Sequence, residues 1–285
     1  KILILYILNN KIFRILPDKF FLKIKYKLET GKKLNLKNPK SYTEKLQWLK
    51  IYNRNPQYSI MVDKYLVRKY VASIIGNQFL IPLIGIYDSY KEINFSKLPS
   101  QFVLKPNHTS GDIFICKDKS KIDYNLLEIM INKWLKRKYY WFHREWPYKK
   151  VKPKIICEHF LEENIIDYKF FCFNGTPKFF TLGQGDSSRT KRISFFDMNW
   201  KKCPFYRSDH KPLLGNHTRP VNFNIMIEIA KKLSKDKPFV RIDLYNIQEK
   251  IYFGEITFFP GAGFAPYSPI EYENIIGDWI DITNV

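Results

Sequence analysis

Four polar residues near the C-terminus have types and spacings that suit phosphate and metal chemistry. Arg241 and Asp243 alternate with apolar residues, as do Glu255 and Thr257, so on a strand each pair points to one face. If the two segments pair through a turn at 246–249, the carboxylates of Asp243 and Glu255 converge beside a hydroxyl. Such hard oxygen ligands suit Mg²⁺, and Arg241 lies close enough to hold a phosphate there. For these four residues alone, the alternative is an edge hairpin with exposed charges.

Two lysines add a second phosphate-binding signal. Lys105 ends an apolar segment and is followed by the small-residue loop 106–112, and Lys64 lies in the segment VDKYLVRKYV. A strand lysine followed by a polar, glycine-containing loop can bind phosphates through its ammonium and the loop N–H donors. One such lysine is weak evidence. A phosphate lysine, a loop, an apolar strand ending in Glu158 and a late acid pair in this order are much less common by chance.

Other catalytic systems leave no signature in the sequence. There is no G-x-S-x-G, H-E-x-x-H or Walker A motif, and the five histidines are scattered singly, which favours structural roles. The four cysteines are widely spaced without a C-x-x-C pair. Neither a disulfide framework nor a structural zinc site is therefore expected, and a reducing cytosol is the natural setting.

Periodicity and turn signals predict the elements that must position these residues. Basic amphipathic helices are expected over 1–35 with a break at Pro17, and a Ser-x-x-Glu start predicts a helix over 41–50. Further helices are predicted at 59–75, after Asp123 and at 223–234. Strands are predicted at 79–86, 101–105, 113–116, 155–160, 168–173, 178–182, 240–245 and 250–257, with Asn174-Gly175 as a hairpin turn. Helices followed by a hairpin-rich sheet indicate an α+β fold.

The charge of the chain restricts its partners. The 285 residues are 45% hydrophobic and 17% aromatic, enough for a substantial core, and carry a net charge of +21. Residues 1–50 hold 13 basic and 3 acidic residues, and 133–150 interleaves seven basic residues with seven aromatics. Such clusters could bind single-stranded nucleic acid, an anionic membrane surface or a polyanionic substrate, or could simply be a solvated basic face. No nucleic-acid-binding motif supports a specific nucleic acid.

The opening segment KILILYILNNKIFRILP is the most hydrophobic part of the chain. Polar residues at 9–11 and 14 interrupt it, and no small-residue cleavage site follows, so a signal peptide is not expected. No run approaches the roughly 18 apolar residues of a membrane span. Because the chain starts at Lys1 rather than Met, we expect some residues to precede it.

Six segments together resemble the TupA-like branch of the ATP-grasp superfamily. They are DKYLVRKYV, FVLKPNHTSGDIFICKDKSK, REWPYK, DYKFFCFNGTPKFF, PFVRIDLYN and KIYFGEITFFPGAGF, and the resemblance runs from about Asn38 to Trp279. That branch is named after a protein of teichuronopeptide biosynthesis, and its members occur among bacterial capsule and cell-surface polysaccharide genes. The resemblance implies an α+β ATP-grasp fold in which two lobes clasp ATP. It also implies a basic helical extension over 1–50 and a catalytic domain over 51–285, divided near 160.

The resemblance assigns nucleotide-binding roles to positions of this sequence. Lys64 and Lys105 match the two lysines that contact ATP phosphates, and Ser110 and Gly111 match the mobile loop that closes over them. The loop has one glycine where many ATP-grasp loops have several. Asp167 matches the residue that takes the ribose hydroxyls, with Glu162 or Glu163 as the alternative. The hinge segment, whose backbone pairs with adenine, corresponds to Glu158, His159, Phe160 and Leu161.

The resemblance also assigns the reacting side of the site. Lys169 corresponds to a basic position that reaches the transferring phosphate, and Asp243 and Glu255 match the metal-binding acids. Thr257 stands where superfamily members often have Asn, and a hydroxyl is the weaker ligand. Either a water intervenes there or one Mg²⁺ is held less tightly. The segment containing Gly261 and Gly263 matches a loop that closes the acceptor side.

The implied activity is an ATP- and Mg²⁺-dependent carboxylate–amine ligase that forms an amide through an acyl phosphate. Arg241 would stabilise charge on the tetrahedral adduct. The expected substrates are an acidic saccharide, a uronic acid that is free, nucleotide-linked or polymeric, and an amino acid or amino alcohol. Arg144, Trp146 and Lys149 could receive the acid, or the REWPYK segment could be a packing corner. We expect a bacterial cytoplasmic location, with the basic N-terminal segment either at the inner membrane face or packed on the domain.

Three other functions stay open at this point. An ATP-grasp kinase would keep the ATP site and phosphorylate a sugar hydroxyl. Some members of the family carry a glycosyltransferase label, which would require turnover of a nucleotide sugar without ATP. A nucleic-acid- or membrane-binding module that has lost catalysis would keep its function after Asp243 and Glu255 are both replaced by alanine.

Overall fold

The computed structural model describes residues 11–163, 165–184 and 192–283. The chain divides into two compact units. The larger unit comprises Lys1–Asn55, Trp141–Glu145 and Asn164–Val285, and the smaller unit comprises Pro56–Tyr140 and Trp146–Glu163. The part of the predicted N-terminal helices before Lys11 lies outside the described residues. Within the described ranges, no helix has both the length and the hydropathy that crossing a bilayer requires.

The helices and strands follow in chain order. The α-helices are α1 (Asp18–Thr30), α2 (Tyr42–Tyr52), α3 (Gln57–Val62), α4 (Val67–Ile75), α5 (Tyr124–Lys136), α6 (Tyr140–His143), α7 (Phe223–Ser234) and α8 (Tyr272–Asp278). The strands are β1 (Leu83–Tyr87), β2 (Phe102–Pro106), β3 (Phe114–Cys116), β4 (Ile155–His159), β5 (Asp167–Phe173), β6 (Thr176–Gln184), β7 (Arg192–Asp197), β8 (Phe239–Ile247) and β9 (Lys250–Thr257). Short 3₁₀ segments lie at Lys11–Ile15, Asn77–Phe79, Tyr90–Glu92, Phe95–Lys97, Lys119–Lys121, Trp146–Lys150 and Pro260–Gly263. The predicted α+β class is confirmed.

The larger unit is built on an antiparallel sheet in the order β7-β6-β5-β8-β9. Helix α7 covers one face: its apolar side is buried, and Phe223 packs against Phe170 of β5 and Phe180 of β6 with ring centroids 5.8 and 4.9 Å apart. Because side chains alternate along a strand, the residues next to Phe170 and Ile242 point to the opposite face. That face carries the polar residues singled out in the sequence.

Two tight turns set the register of this sheet. Asn174 and Gly175 both have positive φ, 49° and 78°, and join β5 to β6 as the Asn-Gly pair predicts. Gln248 and Glu249, with φ of 48° and 63°, join β8 to β9. The second turn is shorter than the predicted 246–249 turn because β8 continues to Ile247.

The N-terminal helices pack within the larger unit. Helix α2 begins with the expected capping box: the Ser41 hydroxyl accepts from the Glu44 N–H, and the Glu44 carboxylate accepts from the Ser41 N–H, both at 3.2 Å. Phe21 and Tyr26 of α1 are buried in one cluster with Phe264 near the C-terminus. The described part of the predicted extension therefore shares a core with the C-terminal residues.

The smaller unit contains an antiparallel sheet in the order β1-β4-β2-β3. Phe102 and Leu104 of β2 point toward α5 and form a buried cluster with Leu127 and Ile131. Asp123 caps α5 by accepting from the Leu126 N–H at 2.9 Å, as predicted. The alternate residues of β2, among them Lys105, face away from this helix.

Several element predictions were wrong in detail. The helix predicted over 59–75 is two helices, because the Asp63 carboxylate accepts from the N–H groups of Tyr65 and Leu66 and interrupts the helix there. The strand predicted at 79–86 begins at Leu83, after Pro82, and is half-buried. Strand β7 and the short helices α6 and α8 were not predicted.

Candidate functional site

Three adjacent strands of the larger unit bring the predicted polar residues together. In the register of the sheet, Lys169 of β5 lies opposite Asp243 of β8, and Asp243 lies opposite Glu255 of β9. Arg241 lies opposite Thr257. These five residues therefore form one polar cluster on the face away from α7.

Arg241 binds every oxygen-bearing side chain of β8 and β9 in this cluster. Its Nε and Nη2 lie 2.6 and 2.7 Å from the two carboxylate oxygens of Asp243. The same Nη2 lies 2.8 Å from Glu255 Oε1 and 3.1 Å from Thr257 Oγ1. The Thr257 hydroxyl in turn donates to Glu255 at 2.9 Å. The guanidinium thus bridges both predicted metal ligands.

Lys169 completes the cluster on the β5 side. Its ammonium lies 2.6 Å from Asp243 Oδ2 and 3.1 Å from Asp167 Oδ2. Asp167, which is assigned to the ribose by resemblance, therefore lies at the edge of the same cluster, with 17% of its side chain exposed. Asp243 is the most buried member, with 2% of its side chain exposed.

Burial and charge pairing act in opposite directions on these groups. Burial raises the pKa of Asp243, and the cations of Arg241 and Lys169 oppose that rise. For Lys169, burial lowers the pKa, but the carboxylates of Asp243 and Asp167 outweigh it, so the pKa lies above its ordinary value. The pKa of Arg241 is raised in the same way, against burial, by Asp243 and Glu255. Both cations therefore stay charged in the neutral range.

The donor chemistry of the cluster fits Mg²⁺. Asp243, Glu255 and Thr257 offer only oxygen atoms, and Mg²⁺ is usually held by one or two carboxylates together with substrate phosphates and water. Across the described residues, no group of three or more His, Cys, Asp or Glu side chains is arranged to hold a metal. In a Mg²⁺ site built on these side chains, a phosphate and water would supply the other ligands.

The smaller unit holds a second charged group around Glu158. The Lys105 ammonium lies 2.6 Å from one oxygen of Glu158, and the Arg68 guanidinium lies 3.2 Å from the other. Arg68 also donates to the Ile81 carbonyl at 2.8 Å. Arg68 was not predicted from the sequence, although its position four residues after Lys64 would have placed it one helical turn away.

Lys64 lies at the break between α3 and α4. Its ammonium donates to the Thr109 carbonyl, and its backbone N–H donates to the Asn107 carbonyl at 3.1 Å. Asp63, the residue before it, accepts from the Asn107 side-chain amide at 3.0 Å. Asn107 is fully buried, and its side-chain Oδ1 accepts from the backbone N–H of Lys154 at 2.8 Å. Asp63 and Asn107, which were not predicted as site residues, thus connect Lys64 to the loop that follows Lys105.

The base of the loop after Lys105 is fixed by its own contacts. The Thr109 hydroxyl donates to Asp112 at 2.7 Å, and Arg137 pairs with the same carboxylate. His108 is 3% exposed, and its Nε2 lies 3.1 Å from the Arg137 carbonyl. Burial lowers the pKa of His108 to about 4, so the imidazole is neutral.

The tip of this loop is open. Ser110 and Gly111 are exposed, and Gly111 has a φ of 81°, which favours glycine. A Cβ added at Gly111 would meet no atom within 4 Å. The tip is therefore free of packing in this structure, and its closure over phosphates stays a prediction.

The predicted hinge lies at the end of β4. Glu158 is buried, His159 is exposed, and Phe160 and Leu161 are partly buried. The His159 N–H donates to the Pro82 carbonyl at 3.1 Å. Glu163, an alternative for the ribose, pairs with Lys117 at 2.9 Å on the surface. Pairing of this segment with adenine stays a prediction.

The residues predicted to receive the acid differ in their exposure. Arg144 belongs to the larger unit and is 2% exposed, with its guanidinium 4.5 Å from the Phe21 ring and 3.4 Å from Asp18. Trp146 belongs to the smaller unit and is buried against Tyr58, whereas Lys149 is exposed. Whether these residues bind a substrate carboxylate stays a prediction.

The predicted acceptor loop, Pro260–Gly263, follows β9 in the larger unit. Gly261, Ala262 and Gly263 have φ values of 58°, 53° and 66°, all in the left-handed region. Gly261 is exposed and Gly263 is buried. The loop therefore begins three residues after Thr257, the last residue of the polar cluster.

Comparison with known proteins points to one family. The family model described as TupA-like ATPgrasp matches residues 44–281. No curated protein sequence matches the chain significantly. Among solved structures, D-alanine–D-alanine ligase from Helicobacter pylori is 14% identical with a TM-score of 0.45, covering 86% of this chain and 70% of that one. D-alanine–D-alanine ligase from Bacillus anthracis is 16% identical with a TM-score of 0.39, and the match spans 70% of this chain and only 57% of that enzyme. A RimK domain ATP-grasp protein from Sphaerobacter thermophilus is 8% identical with a TM-score of 0.43, covering 80% and 70%.

Proposed function

Because this chain belongs to the TupA-like ATP-grasp family, we propose that it is an ATP- and Mg²⁺-dependent carboxylate–amine ligase. The observation that carries the proposal is the register of β5, β8 and β9. It gathers two cations and two adjacent carboxylates on one face, with Lys169, Asp243 and Glu255 in a row. Such a group suits the handling of a transferring phosphoryl group.

The chemistry follows from the leaving group. A carboxylate does not react with an amine at neutral pH, because hydroxide would have to leave. In the proposed reaction a carboxylate oxygen attacks the γ-phosphorus of ATP, the bond to the β-phosphate oxygen breaks, and ADP leaves. The amine nitrogen then attacks the acyl carbon, phosphate leaves with the electrons of the C–O bond, and the nitrogen loses a proton to give the amide.

The residues of this chain take the following roles in the proposal. Lys64 and Lys105 bind nucleotide phosphates, and Lys169 offsets charge on the transferring group. Mg²⁺ held by Asp243 and Glu255 would supply Lewis-acid polarisation of phosphate oxygens. Arg241, whose raised pKa keeps it charged, stabilises the negative charge of the tetrahedral adduct.

The remaining assignments concern the nucleoside and water. We propose that the backbone of Glu158–Leu161 pairs with adenine and that Asp167 binds the ribose. Ser110 and Gly111 would close over the phosphates and exclude water, because an acyl phosphate hydrolyses readily. Their exposure and lack of packing leave them room to move.

For the acid we propose a uronic acid of a bacterial surface polysaccharide, and for the amine an amino acid or amino alcohol. The net charge of +21 suits an acidic saccharide. Arg144 has buried partners, so exposed Lys149 and its neighbour Lys150 are the better candidates for the carboxylate. Because the reaction consumes ATP, we propose that it takes place in the cytoplasm.

The test is product analysis by mass. The protein is incubated with ATP, Mg²⁺, D-glucuronate or a nucleotide-linked uronic acid, and a mixture of amines. A ligase releases free phosphate and an amide, whereas a sugar kinase leaves a phosphorylated acceptor. The double variant Asp243→Ala, Glu255→Ala serves as the inactive control. ATP turnover that is the same in this variant as in the wild type would contradict both enzyme functions.

A further inference from the structure

Lys50 has a buried side-chain amine without a carboxylate partner at ion-pair distance among the described residues. It is 0% exposed, and its ammonium donates to three oxygens: the Ala262 carbonyl at 2.6 Å, Gln47 Oε1 at 3.1 Å and the His143 carbonyl at 3.2 Å. The ammonium also lies 4.6 Å from the centroid of the Phe264 ring. Burial of an ammonium costs free energy unless hydrogen bonds or opposite charges compensate for it. A lysine at this position therefore needs a structural or functional explanation.

Gln47, one helical turn earlier in α2, binds the same loop. It is 0% exposed, and its side-chain amide donates to the Gly263 carbonyl at 2.7 Å and to the Ala262 carbonyl at 3.3 Å. A Cβ at Gly263 would lie 2.7 Å from the Gln47 amide nitrogen. Two polar side chains of one helix thus converge on two successive carbonyls of the loop Pro260–Gly263.

The loop needs such support because its backbone is strained. Ala262 has a φ of 53° between two glycines that are also left-handed. A residue other than glycine is disfavoured in this region and persists only where its surroundings hold it. The hydrogen bonds from Gln47 and Lys50 are contacts of that kind.

The buried carboxylate of Glu145 interacts electrostatically with Lys50 and with Glu255 of β9. Glu145 is 4% exposed, and its carboxylate attracts the charge of Lys50 and repels that of Glu255. Burial lowers the pKa of Lys50 to about 7, and Glu145 opposes that effect.

We propose that Gln47 and Lys50 are positioning residues that hold the loop Pro260–Gly263 in the shape that receives the amine. This inference rests on the proposed function, which assigns Gly261 and Gly263 to the acceptor side. Through these hydrogen bonds, helix α2 supports the acceptor side of the proposed site. The hydrogen bonds fix the loop carbonyls and do not touch the reacting atoms.

The first test measures the loop itself and needs no substrate. Hydrogen–deuterium exchange of the peptide covering 258–266 is compared in the full-length wild type, Lys50→Met, Gln47→Leu and the control Lys45→Met. Lys45 lies in the same helix and donates to the Ile280 carbonyl at 2.8 Å, away from the loop. We expect faster exchange of this peptide in Lys50→Met and Gln47→Leu and no change in Lys45→Met. Unchanged exchange in both loop variants would overturn the proposal, and Gln47→Leu decides if Lys50→Met does not fold.

The second test separates positioning from general support of the fold. Hydroxylamine serves as the amine, D-glucuronate as the acid, and the hydroxamate is measured. We expect Lys50→Met to raise the KM for hydroxylamine about tenfold while the Kd for ATP stays within about twofold. Lys50→Arg, which keeps the charge, should recover part of the loss. An equal loss of ATP binding would show a merely structural role and overturn the proposal.

Failure of the proposed ligase function can be distinguished from failure of the loop-positioning proposal. If the wild type binds ATP but forms no hydroxamate, the ligase proposal fails for this acid. The exchange experiment then decides by itself whether Gln47 and Lys50 hold the loop.

Discussion

The ammonium of Lys105 and the carboxylate of Glu158 form an ion pair at 2.6 Å on the face of the smaller unit's sheet that points away from α5. The two residues were assigned by resemblance to opposite ends of ATP, the phosphates and the adenine. Glu158 is also bound by Arg68 at 3.2 Å. Under the proposed function Lys105 would exchange Glu158 for a phosphate, and Arg68 would remain as the cation partner of the buried Glu158.

We expect Lys105→Met to weaken ATP binding by about 10- to 100-fold, because a charged hydrogen bond to phosphate is lost. Isothermal titration calorimetry with ATP measures the change. The matched control is Lys121→Met, which removes the lysine of an exposed Lys–Asp pair in the same unit. An exposed pair contributes little, so the control should bind ATP as the wild type does. Equal affinity of Lys105→Met and wild type would remove Lys105 from the phosphate site.

Replacing the two adjacent acids should abolish metal-dependent turnover. We expect Asp243→Asn and Glu255→Gln each to lower Mg²⁺-dependent ADP release on the order of 100-fold or more, because the metal loses a charged ligand. Asp243→Asn should also lower the free energy of unfolding, since Arg241 and Lys169 lose their buried counter-charge. Glu249→Gln, at the exposed turn of the same hairpin, is the control and should retain full activity. Activity in Asp243→Asn close to that of the control would exclude it as a metal ligand.

Thr257 offers a graded test of the metal site. Thr257→Val removes the hydroxyl that donates to Glu255 at 2.9 Å and should raise the Mg²⁺ concentration for half-maximal activity about tenfold. Thr257→Asn supplies an amide carbonyl, a better oxygen ligand, and should lower that concentration. Mg²⁺ titrations of ADP release measure both. If the two variants shift the requirement in the same direction, Thr257 acts through packing and not through its oxygen.

His108 predicts a pH dependence of stability. Its pKa is lowered by burial from 6.5 to about 4. Between these pH values the imidazole is therefore protonated in the unfolded chain and neutral in the folded chain. The free energy of unfolding should therefore fall as the pH drops from about 6.5 to about 4, by up to about 3 kcal/mol for this group alone. Urea unfolding at pH 7.5 and pH 5 compares wild type with His108→Asn, and the variant should lose less stability on acidification. An equal loss in both proteins would show that His108 is protonated without penalty.

Local patterns in the sequence were sufficient for most elements. The alternation around Asp243 and Glu255 predicted both strands and their shared face, and the Asn174-Gly175 pair predicted the turn between β5 and β6. Ser41 with Glu44 predicted the start of α2. Each signal acts over a few residues, within one helical turn or one hairpin. The prediction of one continuous helix over 59–75 was wrong for a related reason. The Asp63 carboxylate competes with the helix for backbone N–H groups, and hydrophobic periodicity does not reveal this competition.

Contacts between distant segments were decided by the tertiary structure alone. Lys169 meets Asp243, 74 residues later, because the sheet order places β5 beside β8. Lys50 meets Ala262 because α2 and the C-terminal loop pack in the same unit, and Arg144, for which the sequence left carboxylate binding and a packing corner open, is 2% exposed. The sequence by itself determined which residues share a strand face, since that depends on a repeat of two. Which strands become neighbours depends on packing of the whole core, and no local pattern carries that information.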